Sequence, residues 1–247
     1  MVFKVKLNSK QEEIIMENED KKKSSEGRVQ TSLLADVERK LLLWMAPRLP
    51  QWVAPDMLTF LGLFAMAGVG LSYYLVSYHR LYLILASVGF IINWFGDSLD
   101  GTLARVRNQQ RPKYGYYLDH LVDAFGFSFV IFGLAYSKMI SQPFVWLVLV
   151  LFFIASINTY LATNSVHVFK ISYSKISTTE ARIILVILNT ILLFINKVTI
   201  FSFESYFLDI IAGIVSLFLF VVTLRSAILN LRKLNLKENM ILENQNR

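Results

Sequence analysis

Four aspartates, Asp97, Asp100, Asp119 and Asp123, fall within "GDSLDGTLARVRNQQRPKYGYYLDHLVDAFG" (Gly96 to Gly126), between the apolar runs "LYLILASVGFIINWF" and "FSFVIFGLAY". An ionised Asp at the centre of a membrane helix costs about 2.5 to 3.5 kcal/mol, so four in one patch require a compensating charge or abundant water. On a helix, Asp97, Asp100, Gly101 and Ala104 recur at three and four residues and share one face, and Asp119 and Asp123 share a face of the next helix. Two antiparallel helices can therefore aim four carboxylates at one point. Four negative charges are balanced by two divalent cations, and all-oxygen ligation suits Mg²⁺ or Mn²⁺. Two ions about 4 Å apart clamp the attacking and leaving oxygens of a phosphoryl displacement.

The neighbouring residues suit that chemistry. Gly101 and Ala104 remove bulk where a nucleotide could lie against the helix, Arg105 can fork onto phosphate oxygens, and Gly115 is expected to begin the next helix, whose amino end favours anions. His120 lies three residues before Asp123, and adjacent divalent ions would keep it neutral and able to take up a proton. His120 is thus a candidate base, or else a histidine merely hydrogen-bonded at the membrane surface. The other histidines, His79 and His167, read as interfacial residues without a chemical role. Glu180 and Arg182, in "STTEARIIL", are candidate substrate contacts, although an acidic first turn explains Glu180 equally well.

The elements that must carry these side chains are read from composition. The chain has 247 residues, 55% hydrophobic, and the apolar residues are concentrated in long runs, the pattern of an all-α polytopic membrane protein. With no cysteine and three histidines, a thiolate or zinc site is poorly supplied. The net charge of +7 flanks the apolar runs and forms no separate basic domain, which points to lipid headgroups and phosphate-bearing substrates and away from nucleic acid. Residues 1–29 read as a disordered cytoplasmic tail and 30–52 as an amphipathic interfacial helix with Leu33, Leu34, Val37, Leu41, Leu42 and Met45 on one face. Residues 53–231 hold six expected transmembrane helices: Met57–Ser77, Leu81–Phe95 continuing into the aspartate motif, Tyr116–Lys138, Phe144–Ala162, Ala181–Phe201 and Tyr206–Ala227. Residues 232–247 read as a polar cytoplasmic tail. Arg28, Arg39, Lys40, Arg48, Arg105, Arg107, Arg111, Lys113, Lys170, Lys175, Arg182, Arg225, Arg232, Lys233 and Lys237 fall on one side, against Arg80, Lys138 and Lys197 on the other. The excess places both termini and the aspartates in the cytoplasm. No internal repeat is visible, so an ion transporter using its carboxylates as a path is the weaker reading, and it leaves the phase of Gly101, Ala104 and Arg105 unexplained.

The run Asp97-x-x-Asp100-Gly101-x-x-Ala104-Arg105, nine residues, then Gly115-x-x-x-Asp119-x-x-x-Asp123 closely resembles the signature of the CDP-alcohol phosphatidyltransferase family. The connecting segment is one residue longer than usual, a cheap change in a loop. The resemblance implies a six-helix membrane core, usually dimeric, with a cytoplasm-facing cavity for two metals and a CDP-linked donor. It implies that the four aspartates are the metal ligands, that Asp123 is a candidate base, and that Gly101, Ala104, Arg105 and Gly115 line the nucleotide and pyrophosphate. The expected reaction is attack by an alcohol on phosphorus, with CMP leaving.

Within the family, "APDMLTFLGL" (Ala54 to Leu63) is similar to the "APNLITLLGL" opening of choline and ethanolamine phosphotransferases, and "DHLVD" is similar to their D-H-x-x-D. Thr59, in that opening, is a further candidate substrate-binding residue, while Asp56 stands where Asn is usual. The resemblance therefore implies transfer of a phospho-alcohol from CDP-ethanolamine or CDP-choline to a diacylglycerol-like lipid, by a compact prokaryotic member in the cytoplasmic membrane. The alternative is transfer of a phosphatidyl group from CDP-diacylglycerol to glycerol phosphate, serine or inositol (phosphate).

Overall fold

A computed structural model describes residues 34–166, 178–195, 197–200 and 203–245. The order is α1 (Ala35–Met45), a 3₁₀ turn (Ala46–Arg48), α2 (Pro55–Leu75), α3 (Tyr82–Val106), α4 (Pro112–Tyr136), α5 (Gln142–Val166), α6 (Thr178–Leu192), a hairpin of β1 (Lys197–Ile200) and β2 (Phe203–Tyr206), and α7 (Phe207–Gln245). The all-α membrane class expected from composition is the one observed, with the hairpin as a small addition. His167 and the basic residues Arg28, Lys170 and Lys175 lie outside the described residues.

Among the described residues five helices, α2, α3, α4, α5 and α7, are long and apolar enough to cross a bilayer, one fewer than expected. The missing one is Ala181–Phe201, which is helical only to Leu192. At 15 residues α6 is about 22 Å long, short of the roughly 30 Å hydrocarbon layer. Beyond it the sequence "KVTI…FESY" is β-branched and aromatic with polar residues interspersed, and it pairs antiparallel from Lys197 opposite Tyr206 to Ile200 opposite Phe203. At the other end, α7 continues as one helix across residue 231, through the stretch expected to be a polar tail, to Gln245.

Lipid is as apolar as leucine, so helices in a membrane gain little by hiding apolar faces from it and associate through close packing of small residues. The α2–α3–α4 group is built this way. A Cβ on Gly133 of α4 would come within 1.9 Å of the Gly70 carbonyl oxygen of α2, and one on Gly96 of α3 within 2.4 Å of the Leu58 oxygen of α2. Val69, Leu83, Ala86, Phe90, Leu99 and Leu103 are buried around these crossings. Phe64, Leu71, Ile91 and Phe132 face outward, as lipid-facing side chains do. A polar thread crosses the same core: the Tyr73 hydroxyl donates to Asn189 Oδ1 at 2.8 Å, and Asn189 Nδ2 donates to Ser87 Oγ at 3.2 Å, tying α6 to α2 and α3.

The amphipathic helix α1 docks on this group through Glu38. Its Oε1 accepts from Trp94 Nε1 at 2.9 Å, Ser98 Oγ at 2.9 Å and Thr179 Oγ1 at 2.6 Å, joining α1, α3 and α6 beside the aspartates. The partners of Glu38 come from segments 56 to 141 residues away, so no local pattern reveals them.

Candidate active site

The site is set by how α3 ends and α4 begins. Asn108 adopts a left-handed conformation, φ 55°, which Asn tolerates better than most residues. Gln109 N donates to Ala104 O at 2.8 Å and Asn108 N to Arg105 O at 3.2 Å, the paired bonds of a Schellman stop. Three residues later Pro112 opens α4, its fixed φ and missing N–H suiting the first helical position. Gly115 therefore sits one turn inside α4 and not at its first residue, because Pro112 takes that place. The tight reversal sets the start of α4 beside the end of α3.

Asp100 is buried, 8% exposed, and Thr59 Oγ1 of α2 donates to its Oδ2 at 2.6 Å. Asp97, one turn earlier, pairs with Arg182 of α6, whose Nη2 lies 2.6 Å from Asp97 Oδ2. Arg182 Nε donates to Asn93 Oδ1 at 2.8 Å, and Asn93 Nδ2 donates to Gly62 O at 3.1 Å, so α6, α3 and α2 are linked through Arg182 and Asn93 beside the first aspartate. Arg182 Nη1 is buried with no hydrogen-bond partner among the described residues. Asp119 faces Asp100 across a cleft between α2, α3 and α4. Asp123 is exposed one turn further along α4.

The cleft is lined by Thr59, Asp100, Gly101, Ala104, Gly115 and Asp119, together with Asp56, Gln109, Arg111 and Tyr114. Its two signature glycines are unlike the packing glycines below them. A Cβ on Gly115 would meet nothing within 4 Å, and one on Gly101 only Arg105 Nη1 at 3.8 Å. No neighbouring helix needs their missing side chains, so the open space beside them is what the two glycines preserve. The three arginines of the segment have separate roles. Arg107 donates to the carbonyls of Leu49, Pro50, Gln51 and Val53 and ties down the α1–α2 connection. Arg111 pairs with Asp56 at 2.5 Å. Arg105, exposed, makes one bond within its own helix, Nη2 to Thr102 Oγ1 at 3.0 Å, and keeps donors to offer beside Gly101.

His120 Nδ1 lies 2.7 Å from the Tyr116 carbonyl oxygen. A carbonyl only accepts, so Nδ1 carries a proton, and in the corresponding neutral tautomer Nε2 is the acceptor. The ring packs between Tyr116, centroids 4.0 Å apart, and Tyr160, 5.0 Å away. His79 Nδ1, by contrast, accepts from the Leu81 amide in a loop at the far end of α2, away from the cleft. Glu180 Oε1 accepts from Leu34 N at 3.3 Å, so this carboxylate binds backbone ahead of α1.

Among the described residues no three His, Cys, Asp or Glu side chains converge closely enough to hold an ion. Asp97 is turned to Arg182 and Asp100 to Thr59. The donor set nevertheless suits hard divalent cations, being carboxylate oxygen on two facing helices around an open cleft.

No curated protein matches the chain. The family model for CDP-alcohol phosphatidyltransferase matches residues 52–224, from just before α2 into α7, and so takes in the cleft and all four aspartates. The chain belongs to the CDP-alcohol phosphatidyltransferase family, whose members transfer a phosphoalcohol from a CDP-linked alcohol to an acceptor.

Proposed function

We propose that this protein transfers a phospho-amino-alcohol, of the CDP-ethanolamine or CDP-choline kind, to the hydroxyl of a diacylglycerol-like lipid at the cytoplasmic face of a membrane. The observation that carries the reading is the cleft in which open space at Gly101 and Gly115 adjoins Asp100 and Asp119. A diphosphate lying against the two glycines has the carboxylates on either side of it. Asp97, Asp100, Asp119 and Asp123 would hold two Mg²⁺ or Mn²⁺ ions. Such ions, when bound, offset the charge of the diphosphate and polarise its bridging oxygen.

The chain's own residues account for the rest. Arg105 extends donors to phosphate oxygens beside Gly101. The acceptor oxygen attacks the phosphorus that carries the amino-alcohol, the bond from that phosphorus to the bridging oxygen breaks, and CMP leaves. The hydroxyl proton goes to a base. His120 is favoured because its Nδ1 bond to Tyr116 leaves Nε2 ready to accept, and Asp123 is the other candidate. A lipid hydroxyl has a pKa far above 7, so a positioned base contributes typically about 10² to 10⁴ in rate.

A second reading, CDP-diacylglycerol as donor and a phosphate-bearing alcohol as acceptor, draws support from the buried, unpartnered Nη1 of Arg182, which an acceptor phosphate would satisfy. The purified protein incubated with Mg²⁺, radiolabelled CDP-ethanolamine or CDP-choline and diacylglycerol is expected to yield the corresponding phospholipid and CMP. Product only from CDP-diacylglycerol with glycerol phosphate, serine or inositol (phosphate) would overturn the donor assignment and support the second reading.

A further inference from the structure

Asp56 departs from the usual residue at its position, and the structure gives it partners. Its Oδ1 lies 2.5 Å from Arg111 Nη2, and its Oδ2 accepts from the Tyr114 hydroxyl at 3.2 Å. Arg111 Cζ stands 4.2 Å from the centroid of the Tyr114 ring, a cation–π contact that holds the guanidinium against the phenol. Hydrogen bonding to Asp56 raises the pKa of Arg111, so the guanidinium stays charged. All three residues line the same cleft as Asp100, Gly101 and Asp119.

Their position along the helices is informative. Asp56 precedes Thr59 by three residues on α2, and Arg111 precedes Gly115 by four at the start of α4. Each is one helical turn nearer its helix's amino end than the residue beside the carboxylates. The cluster therefore stands at the mouth of the cleft while the aspartates stand further in. A nucleoside diphosphate entering with its diphosphate against Gly101 and Gly115 leaves its base at that mouth.

We propose that Asp56 and Arg111, held by Tyr114, read the base of the donor nucleotide. This rests on the reading that the cleft takes a CDP-linked donor. The pair presents a carboxylate acceptor beside guanidinium donors, the acceptor–donor–donor order that guanine offers to cytosine. Cytosine answers with its 4-amino donor toward Asp56 and its N3 and O2 acceptors toward Arg111. Uracil cannot: its O4 is an acceptor and would face the carboxylate. One carboxylate accepts more than the two bonds seen here, and Arg111 is half exposed with N–H groups to spare, so both can bind a base while still paired.

The test is binding of CMP and UMP to the full-length protein in detergent with Mg²⁺, by calorimetry, beside its melting temperature. The wild-type protein is expected to bind CMP at least about tenfold tighter than UMP. Asp56→Ala and Arg111→Ala are expected to bring that ratio to within about threefold, each lowering the melting temperature as a lost latch also would. The exchange Asp56→Arg with Arg111→Asp separates the two roles. It restores the ion pair, and hence the melting temperature, but reverses the order of donor and acceptor. On the present inference the CMP preference stays lost in the exchanged protein. A CMP preference retained in the exchanged protein or in both single variants would overturn base reading and leave a structural latch. Absence of CMP binding to the folded wild-type protein would instead overturn the CDP-linked donor, and the inference with it.

Discussion

Each of the four aspartates has a distinct environment: Asp97 against a guanidinium, Asp100 buried under a threonine hydroxyl, Asp119 in the cleft wall and Asp123 exposed. If all four serve one pair of divalent ions, EDTA abolishes turnover and Mg²⁺ or Mn²⁺ restores it. Asp97→Asn, Asp100→Asn, Asp119→Asn and Asp123→Asn then each lower turnover at least about a hundredfold, since the amide keeps the size and removes the charge. Full activity in any two of them would exclude a four-carboxylate site. His120→Ala is expected to depress turnover by about 10² to 10⁴ with CDP-alcohol binding nearly unchanged, because the imidazole acts in the transition state. His120→Gln, unable to take up the proton, should do no better. Normal turnover in His120→Ala would return the role to Asp123.

At the scale of elements, Gly70, Gly96 and Gly133 hold helices together, whereas Gly101 and Gly115 keep the cleft open. A side chain at Gly133 collides with the Gly70 backbone, so Gly133→Leu is expected to break the α2–α4 contact and leave little folded protein on gel filtration. Gly101→Ala makes the opposite forecast. The new methyl enters open space and helix propensity improves by up to about 1 kcal/mol, so the melting temperature holds or rises while turnover falls. A fully active Gly101→Ala would mean that the space beside Gly101 is not used by substrate. Two short devices align these elements, the Schellman stop at Asn108 and the Pro112 start, and together they let the two halves of the signature face one another.

Across the whole molecule, the basic residues predict that the α3–α4 connection is cytoplasmic and the α2–α3 connection external. The chain has no cysteine, so single replacements report cleanly. Tyr78 is 72% exposed in the α2–α3 connection, and Gln110 is exposed in the other. In intact cells a membrane-impermeant maleimide should label Tyr78→Cys, and should reach Gln110→Cys only after permeabilisation. The reverse pattern would turn the protein over and with it the cytoplasmic site.

The sequence by itself determined the membrane class, the helices that carry the aspartates and the phase of Asp97, Asp100, Gly101 and Ala104, because hydropathy and helical periodicity are local properties that survive without a fold. It misjudged the segment after Leu192, where an apolar composition suited a hairpin as well as a helix, and it did not show that the polar residues past 231 continue α7. Partnership was decided by the tertiary structure alone. Arg182 with Asp97, Thr59 with Asp100, Glu38 with Trp94, Ser98 and Thr179, and Arg111 with Asp56 join residues 41 to 141 positions apart. Such pairs depend on how helices cross, and the crossings are set by glycines such as Gly70, Gly96 and Gly133, whose part in packing shows only when the facing backbone is in place. The same backbone placement distinguishes Gly101 and Gly115, which face open space in the cleft, from Gly70, Gly96 and Gly133, of identical chemistry, which meet backbone.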